Sequence, residues 1–372
     1  MTRQLPEPSD PGISIISDES LLAGLEAAWN RLSAREVSPH IASRHFMAFA
    51  NARWRLRDRG WRCYVLRKDS DSIRVALFGS KSKKVWGWVD TFEIGTEFTS
   101  DFAQAPDLQP HELKRLVEAV RRDQSSRPFI DFSWLSGSQR DEVQTCAVSA
   151  GWRHTIVPNG HAWVFDTTRS ISDLAHRFTP KLRRNLRRDR KRLEEQYKVD
   201  LEVLEPHEMD VHLECLEQFS AMEAAGWKGR NESDLGRVGG DYHRCIVERA
   251  QGAGRIRWYR LRVDERPAAL YFCFRSHDTV WALKTTYDER YAVYSPGNLL
   301  LARMLEDACA DPEIERVHML TGPGWLDRWG GSRETYHRVR IFASSVWGRL
   351  LYTGDAVRGS WPRFRTGGGQ LR

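Results

Sequence analysis

The chain has 372 residues, with 57 Lys and Arg against 50 Asp and Glu, a net charge of +7 at pH 7. Hydrophobic residues make up 41% and aromatics 11%, enough to build cores for two domains of ordinary size and too much for a disordered or fibrous chain. No run approaches the length of about 18 apolar residues that a spanning helix needs, and the opening residues lack the apolar stretch of a signal peptide, so a cytoplasmic protein with no membrane span is expected.

The six cysteines are scattered with no C-x-x-C pair, and most fall in apolar-patterned segments. They read as buried reduced thiols. The 12 histidines form no H-x-x-x-H or H-E-x-x-H spacing, so no metal is expected. The 15 Trp read either as core filler or as lining for a groove that takes flat ligands. Charge is uneven. Residues 1–168 hold 22 basic against 21 acidic residues, and residues 169–372 hold 35 against 29. The segment 181–192, KLRRNLRRDRKR, carries eight basic residues and one acid. One local anion site fits this better than a nucleic-acid coat, so no DNA partner is expected.

In chain order, residues 1–12 are Pro- and Asp-rich and read as a mobile N-terminus. Ile13–Ile16 reads as a strand, 18–33 and 41–56 as helices, and 61–67, 72–79 and 84–92 as strands. Helices follow near 109–123 and 137–149, separated by the strand PFIDFSWL, and HAWVFDT reads as a last strand. The order then repeats. A basic helix is expected over 171–197, a strand at 199–204, and helices near 206–225 and 238–251. Three strands fill 255–287, followed by helix 297–310, strand 315–320, and strands 336–344 and 346–352. Residues 358–372 form a basic, Gly-rich tail read as disordered. Two copies of one plan, 13–168 and 169–357, are the simplest organisation.

Residues 281–304, WALKTTYDERYAVYSPGNLLLARM, concentrate the chemical signal. An apolar strand ends in Tyr-Asp-Glu, and a helix opens at Ser295-Pro296-Gly297. Ser295 suits an N-cap, Pro296 suits the first helical position, and Gly297 lets a ligand approach the backbone. A strand, a small-residue turn and a helix N-terminus present amides and a dipole end to a phosphate. The same run also reads as an ordinary strand-to-helix connection.

With its flanks, this stretch resembles the acyl-CoA-binding half of the GNAT acyltransferases. In that family a Q/R-x-x-G-x-G/A loop cradles the CoA pyrophosphate. Ser295 and Gly297 fall on its two glycine positions and Ala292 on the Q/R position. The YSPG-leucine run resembles the FemAB-like, CelD-type branch. So do the helix around Lys181–Arg188 and the segment Glu223–Gly229, and together these cover about residues 170–335. The resemblance implies tandem GNAT-like domains, each a mixed, largely antiparallel α/β sheet flanked by helices, with the first a degenerate copy. The loop after the third strand of that first copy holds Asp90, Glu93, Glu97, Asp101 and Asp107 without Lys or Arg. Like charge there would repel a pyrophosphate, so only the second copy is expected to bind CoA.

The resemblance assigns acetyl-CoA or another acyl-CoA to Tyr294, Ser295, Gly297, Asn298 and Leu299. It makes Glu223 a base on the acceptor amine, where the residues alone equally allow an exposed acid beside a helix C-cap. Trp227 and Lys228 would hold the acceptor. Tyr287 reads as a proton donor to the leaving thiolate or as packing. Relatives carry Tyr-Lys where Asp327-Arg328-Trp329 stands here, so Asp327 is a further catalytic candidate and Trp325 a binding candidate. Arg183, Arg187 and Arg190 read as an anion-binding face for CoA's 3′-phosphate, a nucleotide, a lipid-linked pyrophosphate or tRNA, or as a solvated helix face. The expected activity is N-acyl, chiefly acetyl, transfer to an amine of a saccharide or of a cell-envelope or exopolysaccharide precursor. A Fem-type aminoacyl-tRNA-dependent transferase and a silent nucleotide-sensing module are the alternatives. Fem ligases carry a long helical hairpin that this sequence does not display.

Overall fold

The computed structural model describes residues 12–35, 40–69, 72–84, 89–95, 102–226, 240–250 and 255–359. In chain order the elements are β1 (Ile13–Ile16), α1 (Glu19–Ala23), α2 (Glu26–Arg35), α3 (His45–Ala50), β2 (Trp61–Asp69), β3 (Ser72–Lys84), β4 (Val89–Ile94), β5 (Phe102–Gln104), α4 (Pro110–Asp123), β6 (Phe129–Leu135), α5 (Gly137–Ser149) and β7 (His154–Asp166). There follow α6 (Ile171–His176), α7 (Pro180–Glu194), β8 (Val199–Leu204), α8 (Met209–Ala225), α9 (Gly240–Ala250), β9 (Arg255–Val263), β10 (Arg266–Ser276), β11 (Thr279–Tyr287), α10 (Pro296–Ala310), β12 (Arg316–His318), β13 (Ser332–Phe342) and α11 (Val346–Gly359).

The strands form one mixed, largely antiparallel sheet in the order β1-β2-β3-β4-β6-β13-β7-β12-β11-β10-β9-β8, with β5 on β3. Each half is a four-stranded antiparallel run, a helix, and a fifth strand parallel to the fourth: β6 beside β4, and β12 beside β11. The sixth strand of each half comes from the other. β13, the last strand of the sequence, pairs with β6, and β7 pairs with β12. β13 and β7 then pair with each other from Ser332/Val164 to Ile341/His154, which joins the halves into one sheet.

Side chains bind the halves further. On one face, α1–α3 share a core with α8 and α9, where Trp29, Phe46, Phe219, Ile246 and Trp258 are buried. Asn51 accepts the Tyr242 hydroxyl at 3.0 Å, and Arg249 pairs with Glu26 at 2.7 Å. On the other face, α6, α7 and α10 cover the second half around Phe178, Tyr271, Leu300 and Trp329. α4 and α5 cover the first half around Phe92, Leu116 and Phe132. No disulfide joins any of the six cysteines, and five are buried.

Several expectations need correction. The helix expected over 18–33 is two, parted at Gly24. The basic helix expected over 171–197 is also two, because Pro180 cannot continue α6 and instead starts α7, with Thr179 accepting the Leu182 amide. The strand β5 was not foreseen. Residues 346–352 are helical rather than extended. β13 already has a neighbour on each side, so this apolar run has no sheet edge to join, and the Ser345 hydroxyl accepts the Gly348 amide to start α11. That helix includes Arg358 and Gly359, so the tail begins later than expected, and residues 360–372 lie outside the described residues.

Candidate active site

The second half opens where β11 leaves β12. The two strands pair only from Thr279/Arg316 to Trp281/His318, while β11 continues to Tyr287 alongside β10. Just past the separation β11 is bulged: Lys284 faces Phe272 and Ala282 faces Cys273, which leaves Leu283 without a partner. Neighbours on a regular strand point to opposite faces. The bulge lets both Leu283 and Lys284 reach the face covered by α8, Leu283 in its core and Lys284 against Glu223.

Beyond β11, Ser295 stands immediately before α10. It does not cap with its side chain as expected. It lies in the left-handed region at φ 52°, ψ 51°, and its carbonyl accepts the Asn298 and Leu299 amides at 2.9 and 3.2 Å. A left-handed backbone is the physical reason for a glycine in the motif it resembles. Pro296 has no N–H, and the i−4 position of Gly297 lies outside the helix, so Gly297 supplies the open first-turn amide. No acid stands in that turn. A Cβ on Gly297 would meet nothing closer than Tyr287 Cδ1 at 3.8 Å. Arg328 reaches the same turn and donates to Asn298 Oδ1 at 3.2 Å. The Tyr294 hydroxyl is held by Gln196, and Leu299 is buried.

The corresponding helix start in the first half is closed by its own residues. At α4, Glu112 accepts the Gln109 amide at 2.8 Å, and Arg74 bridges Glu112 and Asp107. The acidic loop is also not left charged. Asp90 lies 3.3 Å from Arg127, Glu93 2.7 Å from Lys84, and Asp107 2.7 Å from Arg74. Like-charge repulsion is therefore relieved at these three, since their cations come from other elements. The self-capped α4 takes its place. Glu97 and Asp101 lie outside the described residues.

Between α7 and α10 lies a cavity of about 350 Å³ with an apolar floor that includes Phe178, Leu186 and Leu299. Arg183, Arg187, Arg190 and Arg303 line it too, so the structure brings the three predicted arginines to one groove. They are not equivalent. Arg183 donates to the Ala175 and His176 carbonyls and closes the end of α6, while Arg190 pairs with Glu194 at 2.8 Å.

Glu223 is not an exposed acid. It is 1% exposed, and Lys284 Nζ lies 2.9 Å from its carboxylate. Trp227 and Lys228 lie outside the described residues. The end of α8 borders a cavity of about 660 Å³, lined by Met222, Gly226, Arg266, Asp288 and Arg290. Asp327 faces solvent and pairs with Arg333 at 3.3 Å, and Trp325 is 39% exposed.

Sequence reasoning missed a polar cluster where β11 and β12 separate. His318 packs on Trp281 with ring centroids 4.5 Å apart, and His40 packs on Trp281 at 4.6 Å. The Leu320 amide donates to His318 Nδ1 at 3.0 Å, which leaves Nε2 to face the Tyr336 hydroxyl at 3.0 Å and the Glu334 carboxylate at 3.7 Å. The His318 hydrogen bond, outweighing burial, draws Glu334 down to about 2. Burial, reinforced by His318, lowers His40 to about 3. Among the described residues no cluster of His, Cys, Asp and Glu has the makings of a metal site, and no helix is long and apolar enough to cross a membrane.

Residues 180–329 match the family of acetyltransferase (GNAT) domains. Over that stretch, in the second half of the chain, the sequence is similar to a GNAT-type domain. No curated protein matches it in sequence. Among solved structures, FemX is similar over 87% of this chain and 96% of its own, with a TM-score of 0.59 at 9% identity. L-PGS from Bacillus licheniformis is similar over 91% and 96%, with a TM-score of 0.53 at 14% identity. At such identities the likeness is one of fold. The GNAT-type match spans α7, the bulged β11, the start of α10, β12 and Arg328, the elements that frame the opening.

Proposed function

We propose that this chain is an N-acyltransferase that uses acetyl-CoA or another acyl-CoA, bound in the second half of the chain. The observation that carries the reading is the contrast between two equivalent helix starts: α4 capped by Glu112, α10 open at Gly297 with Arg328 beside it. A pyrophosphate at α10 gains the open Gly297 amide, a dipole end and a guanidinium without displacing a carboxylate. The arginine groove next to it suits the remaining phosphate of CoA. Division of the chain into units 13–168 and 169–357, the first without a donor, belongs to this proposal, as does the CelD-type branch.

In this reading the thioester carbonyl lies along β11 at the bulge, where an amide released from the ladder stabilises the developing oxyanion. The acceptor amine attacks that carbon, and the C–S bond breaks. Tyr287, beside Gly297, protonates the leaving thiolate. Glu223, oriented by Lys284, takes the proton from the amine. Asp327, Trp325, Trp227 and Lys228 are placed at the acceptor. The acceptor class is an amine of a saccharide or cell-envelope precursor, in the cytoplasm.

A second reading, an aminoacyl-tRNA donor, draws support from the fold shared with FemX and from the arginine groove. The longest helix among the described residues, α8, has 17 residues, which offers no long hairpin for tRNA. Thermal unfolding with acetyl-CoA, aminoacyl-tRNA or a nucleotide separates the readings, because a ligand that binds the folded state raises Tm. Protection by acetyl-CoA is expected. Protection by aminoacyl-tRNA alone would overturn the donor assignment.

A further inference from the structure

The far end of the first half carries features that acyl transfer does not use. β13 ends at Phe342, and Ala343–Ser345 lead into α11. At its start three large apolar side chains face water: Val346 at 73% exposure, Trp347 at 71% and Leu350 at 59%. Positions 346, 347 and 350 share one side of a helix. The helix cannot roll to bury them. Gly348, on the opposite side, sits so close to the Ala343 carbonyl that a Cβ there would collide with it, and Asp355 is tied to Arg340 and Thr155.

Next to this face is a cavity of about 490 Å³ lined by Arg121, Arg122, Arg127, Trp152, Ser344 and Ser345. The Arg121 guanidinium lies 4.4 Å over the Trp152 ring and makes no ion pair with any described residue. Burial lowers its pKa, only partly offset by Glu118, so the site holds a cation whose desolvation is incompletely compensated. Arg127 Nε is buried without a hydrogen-bond partner, although another of its nitrogens lies 3.3 Å from Asp90. Arg349 adds an exposed cation on α11. The sequence beyond Asp355 contains Arg358, Trp361, Arg363, Phe364, Arg365 and Arg372 and no acid.

We propose that this end of the molecule docks on an anionic membrane surface, with Val346, Trp347 and Leu350 set among the lipid headgroups and a headgroup phosphate in the arginine cavity. A soluble anion would use the arginines and leave the apolar face wet. A nucleic acid would gain nothing from Val346 and Leu350. A lipid surface uses both, since interfacial binding combines buried apolar area with attraction of basic side chains to anionic headgroups. The docking is peripheral and independent of the acyl-transfer reading.

Co-sedimentation of the full chain with phosphatidylcholine vesicles, with and without phosphatidylglycerol, tests the proposal. Binding to the mixed vesicles, weakened by salt, and none to phosphatidylcholine alone is expected. Trp347→Ser/Leu350→Ser, two exposed positions, should weaken partitioning about tenfold or more. Arg122→Gln, also exposed, should weaken it roughly fivefold, and the triple Arg121→Gln/Arg122→Gln/Arg127→Gln variant more. No preference for the mixed vesicles overturns the proposal. So does binding that survives Trp347→Ser/Leu350→Ser but is lost when the chain stops after residue 356, because the tail alone would then be the anchor. Calorimetric binding of inorganic phosphate without vesicle binding, or a dimer in solution that Trp347→Ser/Leu350→Ser dissolves without vesicle binding, would equally assign these surfaces to other occupants.

Discussion

Lys284 Nζ lies 2.9 Å from the Glu223 carboxylate, inside the core that joins α8 to the bulged part of β11. The pair couples the proposed base to the strand on which the thioester would lie. Glu223→Gln keeps the shape and removes the basicity, and should lower kcat by roughly 10²–10⁴-fold with acyl-CoA affinity retained. It also strips a buried cation of its counter-charge, which can cost several kcal/mol of stability, about 3–5 where a buried pair is broken. The double variant Glu223→Gln/Lys284→Met separates the two effects. Recovery of Tm without recovery of kcat supports a base; recovery of both would make the pair structural.

The cluster at the strand separation predicts acid sensitivity. His40 and Glu334 are both depressed in the folded state, from 6.5 to about 3 and from 4.5 to about 2. Between folded and unfolded values the unfolded chain binds more protons, so stability rises with pH. The His40 contribution is complete above about 6.5 and is lost as pH falls toward 3. That of Glu334 is complete above about 4.5 and is lost toward 2. Urea unfolding as a function of pH should show stability falling below about 6.5. His40→Gln should flatten the upper part of that profile and Glu334→Gln the lower. Unchanged profiles in both variants would contradict the assignment.

The groove arginines should behave differently from one another. Arg187→Gln should weaken acyl-CoA binding and flatten its salt dependence with little change in Tm, since among the described residues its side chain makes just one long hydrogen bond, to the Arg183 carbonyl at 3.4 Å. Arg183→Gln should also lower stability by about 0.5–1.5 kcal/mol, the usual net worth of a hydrogen bond, because it closes the end of α6. Calorimetry at several salt concentrations checks the first effect, and urea unfolding the second. Equal salt slopes for wild type and Arg187→Gln would favour a solvated face.

The elements around the site were legible because their signals are local. The β9–β11 meander alternates around polar turns, and Ser-Pro-Gly followed by a leucine run marks α10. Other features depended on tertiary structure. The left-handed Ser295 and the bulge at Leu283 follow from how β11 and α10 meet. His40, His318 and Tyr336 are separated by 278 and 18 residues and converge only when β12 and β13 take their places beside β7. The exchange of β7 and β13 between halves leaves no trace in local periodicity, and for the same reason 346–352 looked like a further strand.

Titration calorimetry of acetyl-CoA into wild type, Gly297→Ala and Gly297→Glu tests the central claim most directly. The nearest atom to a Cβ at this position is 3.8 Å away, so both variants should keep the wild-type Tm. Any loss of binding then reports on the ligand rather than on the fold. Weakened affinity in Gly297→Ala and none measurable in Gly297→Glu, where a carboxylate would meet the pyrophosphate, are the expected results. Wild-type affinity in a folded Gly297→Glu variant would contradict a donor site at the start of α10.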